Sequence, residues 1–278
     1  MTIGHFVGQN GIRLVADVSG NPSEPVVVLL HGGGQTRHAW RRTAAALNQR
    51  GFYTVALDLR GHGDSDWAAD GDYTTTTQAA DIAAVLAQLP SRPAIIGASL
   101  GGLIALTTLG ESAEPALATS LILVDVTPQV DPDGQARIIG FMQANPQGFA
   151  SLEDAAEVVA AYLPNRPKPS DPSGLKRNLR LRDGRYYWHW DPSFFDTADV
   201  APEYMQQRYE AAARRIAVPT LLVRGTHSEL VKEENVRHFL DLIPSAQYVD
   251  VHEAGHMVAG DSNDAFSNAI TNFLEQNR

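Results

Sequence analysis

Between Ile12 and Val18 apolar and polar residues alternate, as on a strand with one face covered, whereas Val26–Leu30 is apolar throughout and follows Pro25, which predicts a strand covered on both faces. Arg37–Arg50 reads as a helix stopped by Gly51, and Tyr53–Leu57 as the next strand, followed by the turn-rich stretch Asp58-Leu-Arg-Gly-His-Gly-Asp-Ser65. Thr75–Leu89 has a Thr-rich start, Ala/Leu periodicity and Pro90 at its end, so it predicts a second helix. Ala94–Ala98 is a short strand, Leu100–Leu109 a helix of small residues, and Ser120–Val124 another buried strand. Alternation of this kind gives an α/β fold, a mostly parallel sheet covered by helices on both faces.

From Thr127 the rhythm changes. Prolines crowd together, helical stretches occur at Gln135–Ala144 and Leu152–Ala161, and aromatic residues cluster in Tyr186-Tyr-Trp-His-Trp190. A strand over Thr220–Arg224, a helix over Glu233–Leu242, a strand over Ala246–Val251 and a helix through Phe266–Leu274 then restore the alternation. The pattern predicts a core made of residues 1–126 and 204–278, with 127–203 inserted as a helical cap. The aromatic cluster reads equally well as the cap's own small core or as a pocket wall.

Composition narrows the chemistry. The charge balance, 22 basic against 32 acidic residues, gives a net charge of −10, which disfavours nucleic acid or an anionic membrane as a partner. With no cysteine, there is no disulfide, no thiol nucleophile and no Cys-based zinc or iron–sulfur site. The first residues lack the basic start and apolar stretch of a secretory signal, and the longest apolar runs are too short to span a bilayer, so a cytoplasmic enzyme is expected.

Two motifs compete for the chemistry. Gly97-Ala-Ser99-Leu-Gly101 fits G-x-S-x-G, a sharp turn that presents a serine clear of the backbone, where a base can activate this weak nucleophile. His252-Glu-Ala-Gly-His256 fits H-E-x-x-H, in which two histidines on one helix face bind zinc. At this composition chance supplies the first roughly 0.1 times and the second roughly 0.01 times, so rarity favours zinc. Context reverses the order. The zinc motif follows the alternating strand Tyr248–Val251 and contains Gly255, which costs a helix about 1 kcal/mol relative to Ala, whereas the serine motif joins a strand to a helix as its elbow requires. No metal and no cofactor are therefore expected. His31-Gly-Gly-Gly34, at the end of Val26–Leu30, matches an HGGG-type turn whose backbone N–H joins that of the residue after the nucleophile, which assigns an oxyanion hole to Gly33, or Gly34, with Leu100.

Taken in order and spacing, the HGGG turn, Asp58–Ser65, the Ser99 elbow and Ala254-Gly-His256-Met resemble the α/β-hydrolase superfamily over nearly the whole chain. The resemblance implies that His256, in the loop after the last strand, is the catalytic base, and that His31 and His62 are structural. It departs from the usual pattern at the acid, because Gly225-Thr-His-Ser228-Glu229 carries serine where most members carry Asp. Asp125, at the carboxyl end of Ser120–Val124, and Glu229, one residue late, remain, and Asp125 is favoured because some esterases of the family look similar there. The expected reaction is hydrolysis of a carboxylic ester or lactone of a small, partly apolar substrate, with Trp40, Trp188 and Trp190 as candidate substrate contacts. Carbon–carbon bond hydrolysis, thioester or amide cleavage, or a low-turnover receptor would use the same residues. Serine at position 99 argues against the epoxide hydrolases and dehalogenases of this fold, which use Asp. Oligomeric state is not legible.

Overall fold

A computed structural model describes residues 1–114, 117–163, 171–196, 201–252, 254–256 and 263–278. Among them an eight-stranded sheet is built from β1 (Thr2–Val7), β2 (Arg13–Ser19), β3 (Val26–Leu30), β4 (Tyr53–Leu57), β5 (Ala94–Ala98), β6 (Ser120–Val124), β9 (Thr220–Gly225) and β10 (Gln247–Val251) in the order β1-β2-β4-β3-β5-β6-β9-β10. The pairings of β1 with β2 and of β2 with β4 are antiparallel, and those from β4 to β10 are parallel. The connections in the parallel part are helices, among them α1 (Arg41–Gln49), α2 (Thr75–Ala87), α3 (Leu100–Gly110) and α7 (Glu233–Leu242), and α8 (Asn263–Gln276) follows β10.

The continuous apolar strands are double-sided, as their pattern predicts. Val28 and Leu30 enter a core shared with Ile82 of α2, Ile104 of α3 and Phe239 of α7, while Val27 and Leu29 enter a second core with Leu47 of α1 and Phe266 and Ile270 of α8. Each fully buried side chain of this size contributes roughly 1.5–3 kcal/mol, so the two faces fix the register of the central strands. Trp40 belongs to the second core. It is 1% exposed and lies against Phe266 at a ring distance of 6.2 Å, which corrects its reading as a substrate contact: the indole faces the sheet and α8, away from any cavity wall.

Between β6 and β9 the chain forms α4 (Pro132–Gln143), α5 (Leu152–Tyr162), a 3-10 turn (Pro172–Arg177) and a hairpin of β7 (Leu179–Arg182) and β8 (Arg185–Trp188). Asp183 and Gly184 close the hairpin with φ of 48° and 76°, the left-handed pair that a two-residue turn requires. Phe149, Ala155 and Leu179 form a small core of their own, with Leu175 and Trp188 packed against it. The segment is tied to the loop after β4: the Asp191 N–H donates to the Gly61 carbonyl at 2.9 Å, the Tyr73 hydroxyl to Asp191 at 2.5 Å, and Arg180 to the Gly63 carbonyl at 2.6 Å. Next, α6 (Pro202–Ala213) packs on α3, where Gly110 meets the Ala212 backbone. No helix of the described residues is long and apolar enough to cross a membrane.

Candidate active site

Ser99 stands between β5 and α3 with φ 48° and ψ −118°, a conformation that costs roughly 1–3 kcal/mol for a residue with a side chain. Glycines make the elbow fit: a Cβ at Gly97 would lie 2.5 Å from the Gly101 carbonyl oxygen, and one at Gly101 would lie 2.5 Å from that of Leu30. The elbow is held open by two backbone bonds, Ser99 N–H to the Val124 carbonyl at 3.1 Å and Gly101 N–H to the His31 carbonyl at 3.2 Å. The second bond brings the glycine turn against the serine, and a Cβ on Gly32 would sit 3.3 Å from the Cβ of Ser99.

Hydrogen bonds decide which N–H groups of this turn are available. Gly32 N–H donates to Gln35 Oε1 at 3.2 Å, and Gly34 N–H to His62 Nε2 at 3.2 Å. The N–H groups of Gly33 and Leu100 have no acceptor among the described residues. Of the two glycines open at the sequence level, Gly33 is thus the free donor, and Gly34 is a fixed point.

That fixed point is held by buried histidines. The His62 Nδ1–H donates to the Arg60 carbonyl, leaving Nε2 to accept from Gly34. His189, from the segment after β6, accepts from Gly63 N–H at 2.8 Å through Nδ1 and donates from Nε2 to the Gly34 carbonyl at 3.3 Å. His31 donates to the Gly32 carbonyl and accepts from Leu59 N–H at 3.0 Å. Each ring uses one nitrogen as donor and one as acceptor, so each is needed neutral. Burial pushes His31 down to about 4 and His62 to about 3, and drives His189 well below its ordinary value of 6.5. The unfolded chain takes up these protons near 6.5, so from there down to about 4 it binds more protons than the folded protein, and stability falls as pH falls. His31 alone corresponds to roughly 3 kcal/mol lost over that interval. Calorimetry at pH 7 and pH 4.5 should show a melting temperature lower by on the order of 10 °C at the acid end. An unchanged value would mean that the rings are not held neutral.

At the end of β6, Asp125 is 0% exposed and adopts φ 50°. Its Oδ2 accepts from His256 Nδ1–H at 2.6 Å and from the Ser228 hydroxyl at 2.6 Å, and its Oδ1 accepts from Gly225 N–H at 3.2 Å. Ser228, at the place where the resemblance leads one to expect an acid, thus binds the Asp125 carboxylate at the end of the neighbouring strand. Its oxygen also accepts from Leu230 and Val231 N–H, which fixes the hydroxyl proton toward Asp125. Glu229 lies elsewhere, paired with Arg137 and 55% exposed.

Ser99 and His256 line one cavity of about 390 Å³ together with Gly33, Trp188 and Trp190. Phe141 stacks on Tyr162 at 4.0 Å and Trp188 on Trp190 at 4.9 Å, and all four rings line the cavity. Trp188 also meets Phe149 of the small core edge-on, so the aromatic cluster serves both as core and as wall. Met142, Ile138 and Val159 of α4 and α5 complete an apolar side that the sequence does not single out. A second cavity of about 240 Å³, at the end of α3, is lined by none of the motif residues.

The H-E-x-x-H motif is not helical among its described residues: His252 is exposed in a turn after β10, and Ala254 accepts from His227 N–H at 2.9 Å. Glu253 and Met257 lie outside the described residues. Position 252 and position 256 therefore do not share a helix face.

A family model for the alpha/beta hydrolase fold matches residues 25–262. An esterase of Mycobacterium tuberculosis is 29% identical over 263 residues, spanning 91% of this chain and 84% of that protein. The 2-(acetamidomethylene)succinate hydrolase of Mesorhizobium japonicum is 28% identical over 269 residues, spanning 95% and 92%. Among solved structures, an E-2-(acetamidomethylene)succinate hydrolase superposes with a TM-score of 0.86 at 25% identity, covering 99% of this chain and all of that one. The M. tuberculosis esterase superposes with a TM-score of 0.78 at 26% identity, covering 99% and 92%.

Proposed function

The chain belongs to the alpha/beta hydrolase fold family, and on that premise we propose that it hydrolyses a carboxylic ester or lactone of a small, partly apolar substrate through an acyl-enzyme on Ser99. The observation that carries this reading is the placement of the strained Ser99 and of His256 on one cavity, with His256 bonded in turn to the buried carboxylate of Asp125. His256, with Nδ1–H committed to Asp125, offers Nε2 as the base. Ser99 Oγ loses its proton to Nε2 as it bonds to the substrate carbonyl carbon, and the carbonyl oxygen becomes an oxyanion facing the N–H groups of Gly33 and Leu100. The tetrahedral intermediate collapses, the imidazolium returns the proton to the departing alcohol, and the acyl group stays on Ser99. Water then attacks the acyl carbon, His256 again holds the proton, and release of the acid restores the serine.

Residues 127–203 act in this reading as a cap, with Trp188 and Trp190 as the substrate-facing pair. The ester reading stands ahead of thioester or carbon–carbon cleavage because a named esterase matches more than nine-tenths of the chain. The setting proposed is a cytoplasmic enzyme acting on a small molecule. A fluorophosphonate probe followed by peptide mapping tests the core of it without knowledge of the substrate. The expected result is one labelled peptide containing Ser99, abolished by prior heat denaturation; labelling elsewhere, or none, would overturn the reading.

A further inference from the structure

We propose that the substrate of this site carries a carboxylate at the end away from the ester, and that Arg177 receives it. This inference rests on the ester reading above and adds the chemical class of the substrate.

Charge in the cavity wall is one-sided. The chain has ten more acidic than basic residues, yet no Asp or Glu lines the cavity among the described residues, whereas Arg177 does, with His38, Gln35 and Asn178 as further polar groups. An apolar cavity with a few convergent polar groups uses those groups to orient its ligand. Arginine presents a planar fork of donors that matches a carboxylate.

Arg177 also stands apart from its neighbours. From α4 to β8 the described arginines other than Arg177 are all engaged: Arg137 with Glu229, Arg180 with Asp64 and the Gly63 carbonyl, Arg182 over the Trp67 ring at 4.9 Å, and Arg185 with the Gln147 and Gly148 carbonyls. Arg177 has no carboxylate, carbonyl or ring partner among the described residues. Its backbone is not free to wander. Leu175 is packed on the small core, Leu179 is buried in it, and the carbonyl of Asn178 accepts from His189 N–H at 3.1 Å, the same histidine that holds Gly34. An unengaged guanidinium carried on a fixed backbone and lining the same cavity as Ser99 gives that cavity two points of attachment: the serine for the reacting carbonyl and the arginine for an anion.

The carboxylate can belong to the acyl half or to the alcohol half of the ester, and two substrate sets separate these. The first compares p-nitrophenyl monoesters of succinic through suberic acid with neutral isosteres, for glutarate the 5-methylhexanoate. The second compares acetyl esters of hydroxyphenylalkanoic acids with those of the corresponding alkylphenols. In one set the unmodified protein should favour the anionic ester by about tenfold in kcat/KM, the worth of one charge-assisted hydrogen bond at a cavity mouth. In Arg177→Ala that ratio should fall to near one, in Arg177→Glu below one, and Arg177→Lys should keep part of it. Arg182→Ala, a cation outside the cavity, should leave the ratio as it was. Because Arg177 is exposed, raising the salt to about 1 M should shrink the preference as well.

A ratio at or below one in both sets, or a preference that survives Arg177→Ala, overturns the inference while Ser99 labelling and turnover of the neutral esters leave the ester reading standing. Absence of both labelling and turnover overturns the ester reading and takes this inference with it.

Discussion

Ser99→Ala is expected to lower kcat for any ester the protein accepts by on the order of 10⁶, with no change in the far-ultraviolet circular dichroism and a melting temperature close to that of the unmodified protein. In the proposed mechanism the size follows from the unit the serine belongs to: without Oγ a base at His256 would have nothing to activate, and the two N–H donors would retain only the modest catalysis that binding and oxyanion stabilisation supply. The stability should hold because the residue sits at the cavity surface and the elbow is fixed by backbone bonds to Val124 and His31, which the substitution leaves in place. Ser99→Gly sharpens the experiment. Its removal of Cβ relieves the cost of φ 48°, so that variant should be as inactive as Ser99→Ala and melt at a higher temperature. Turnover of Ser99→Ala within tenfold of the unmodified protein would end the acyl-enzyme mechanism.

Asp125→Asn should cost about 10²–10⁴ in kcat, against little change for Glu229→Gln. The hydrogen bonds give the reason. Oδ2 accepts two donors and Oδ1 a third, so an amide must point its NH₂ at one of them. Turned toward His256, it forces the imidazole to accept at Nδ1 and carry its proton on Nε2, where it cannot take one from Ser99. Turned toward Gly225, it opposes a backbone donor in a fully buried position, at roughly 1–3 kcal/mol. Asparagine tolerates positive φ, so the backbone itself is not the obstacle. Glu229 is an exposed partner of Arg137, a pair worth at most about 1 kcal/mol. Both variants should be measured at saturating ester after their melting temperatures are compared, and a large loss confined to Glu229→Gln would move the acid to the turn after β9.

The parts legible in the sequence are those where local pattern and local chemistry coincide. Val26–Leu30 reads as a double-sided strand because every residue is apolar, and Gly97–Gly101 reads as an elbow because only glycines tolerate its close approaches. Asp125 was approachable as a strand-end carboxylate, but its engagement by Ser228 was not. Serine at that position looks like a missing acid until the fold sets the loop after β9 beside the end of β6, at a sequence separation of about a hundred residues. Strand β1 escaped for a different reason: its exposed edge carries Ile3 and Val7 outward, so Thr2–Val7 shows no buried rhythm, and its pairing with β2 is what makes it a strand. Trp40 failed as a substrate contact because a tryptophan near a glycine turn is equally at home in the core behind it. The hairpin β7–β8 had an available signal in Asp183-Gly184, the turn pair with positive φ, obscured by the more conspicuous aromatic run that follows.

The paired hold of His62 and His189 on Gly34 carries a consequence for re-engineering the enzyme. Loops above an active site are usually exchanged between relatives as if they were interchangeable parts, on the view that the catalytic apparatus lies wholly beneath them. In this protein one of the two imidazoles that hold the glycine turn beside Ser99 is contributed by the stretch that would be exchanged, so under the proposed mechanism a transplanted segment brings or lacks a piece of the machinery along with its specificity. Chimeras should therefore be cut to keep residues 189–191 with the recipient, where His189 and Asp191 bond to Gly34, Gly63 and Gly61, and diversity should be confined to α4, α5 and the face of Trp188.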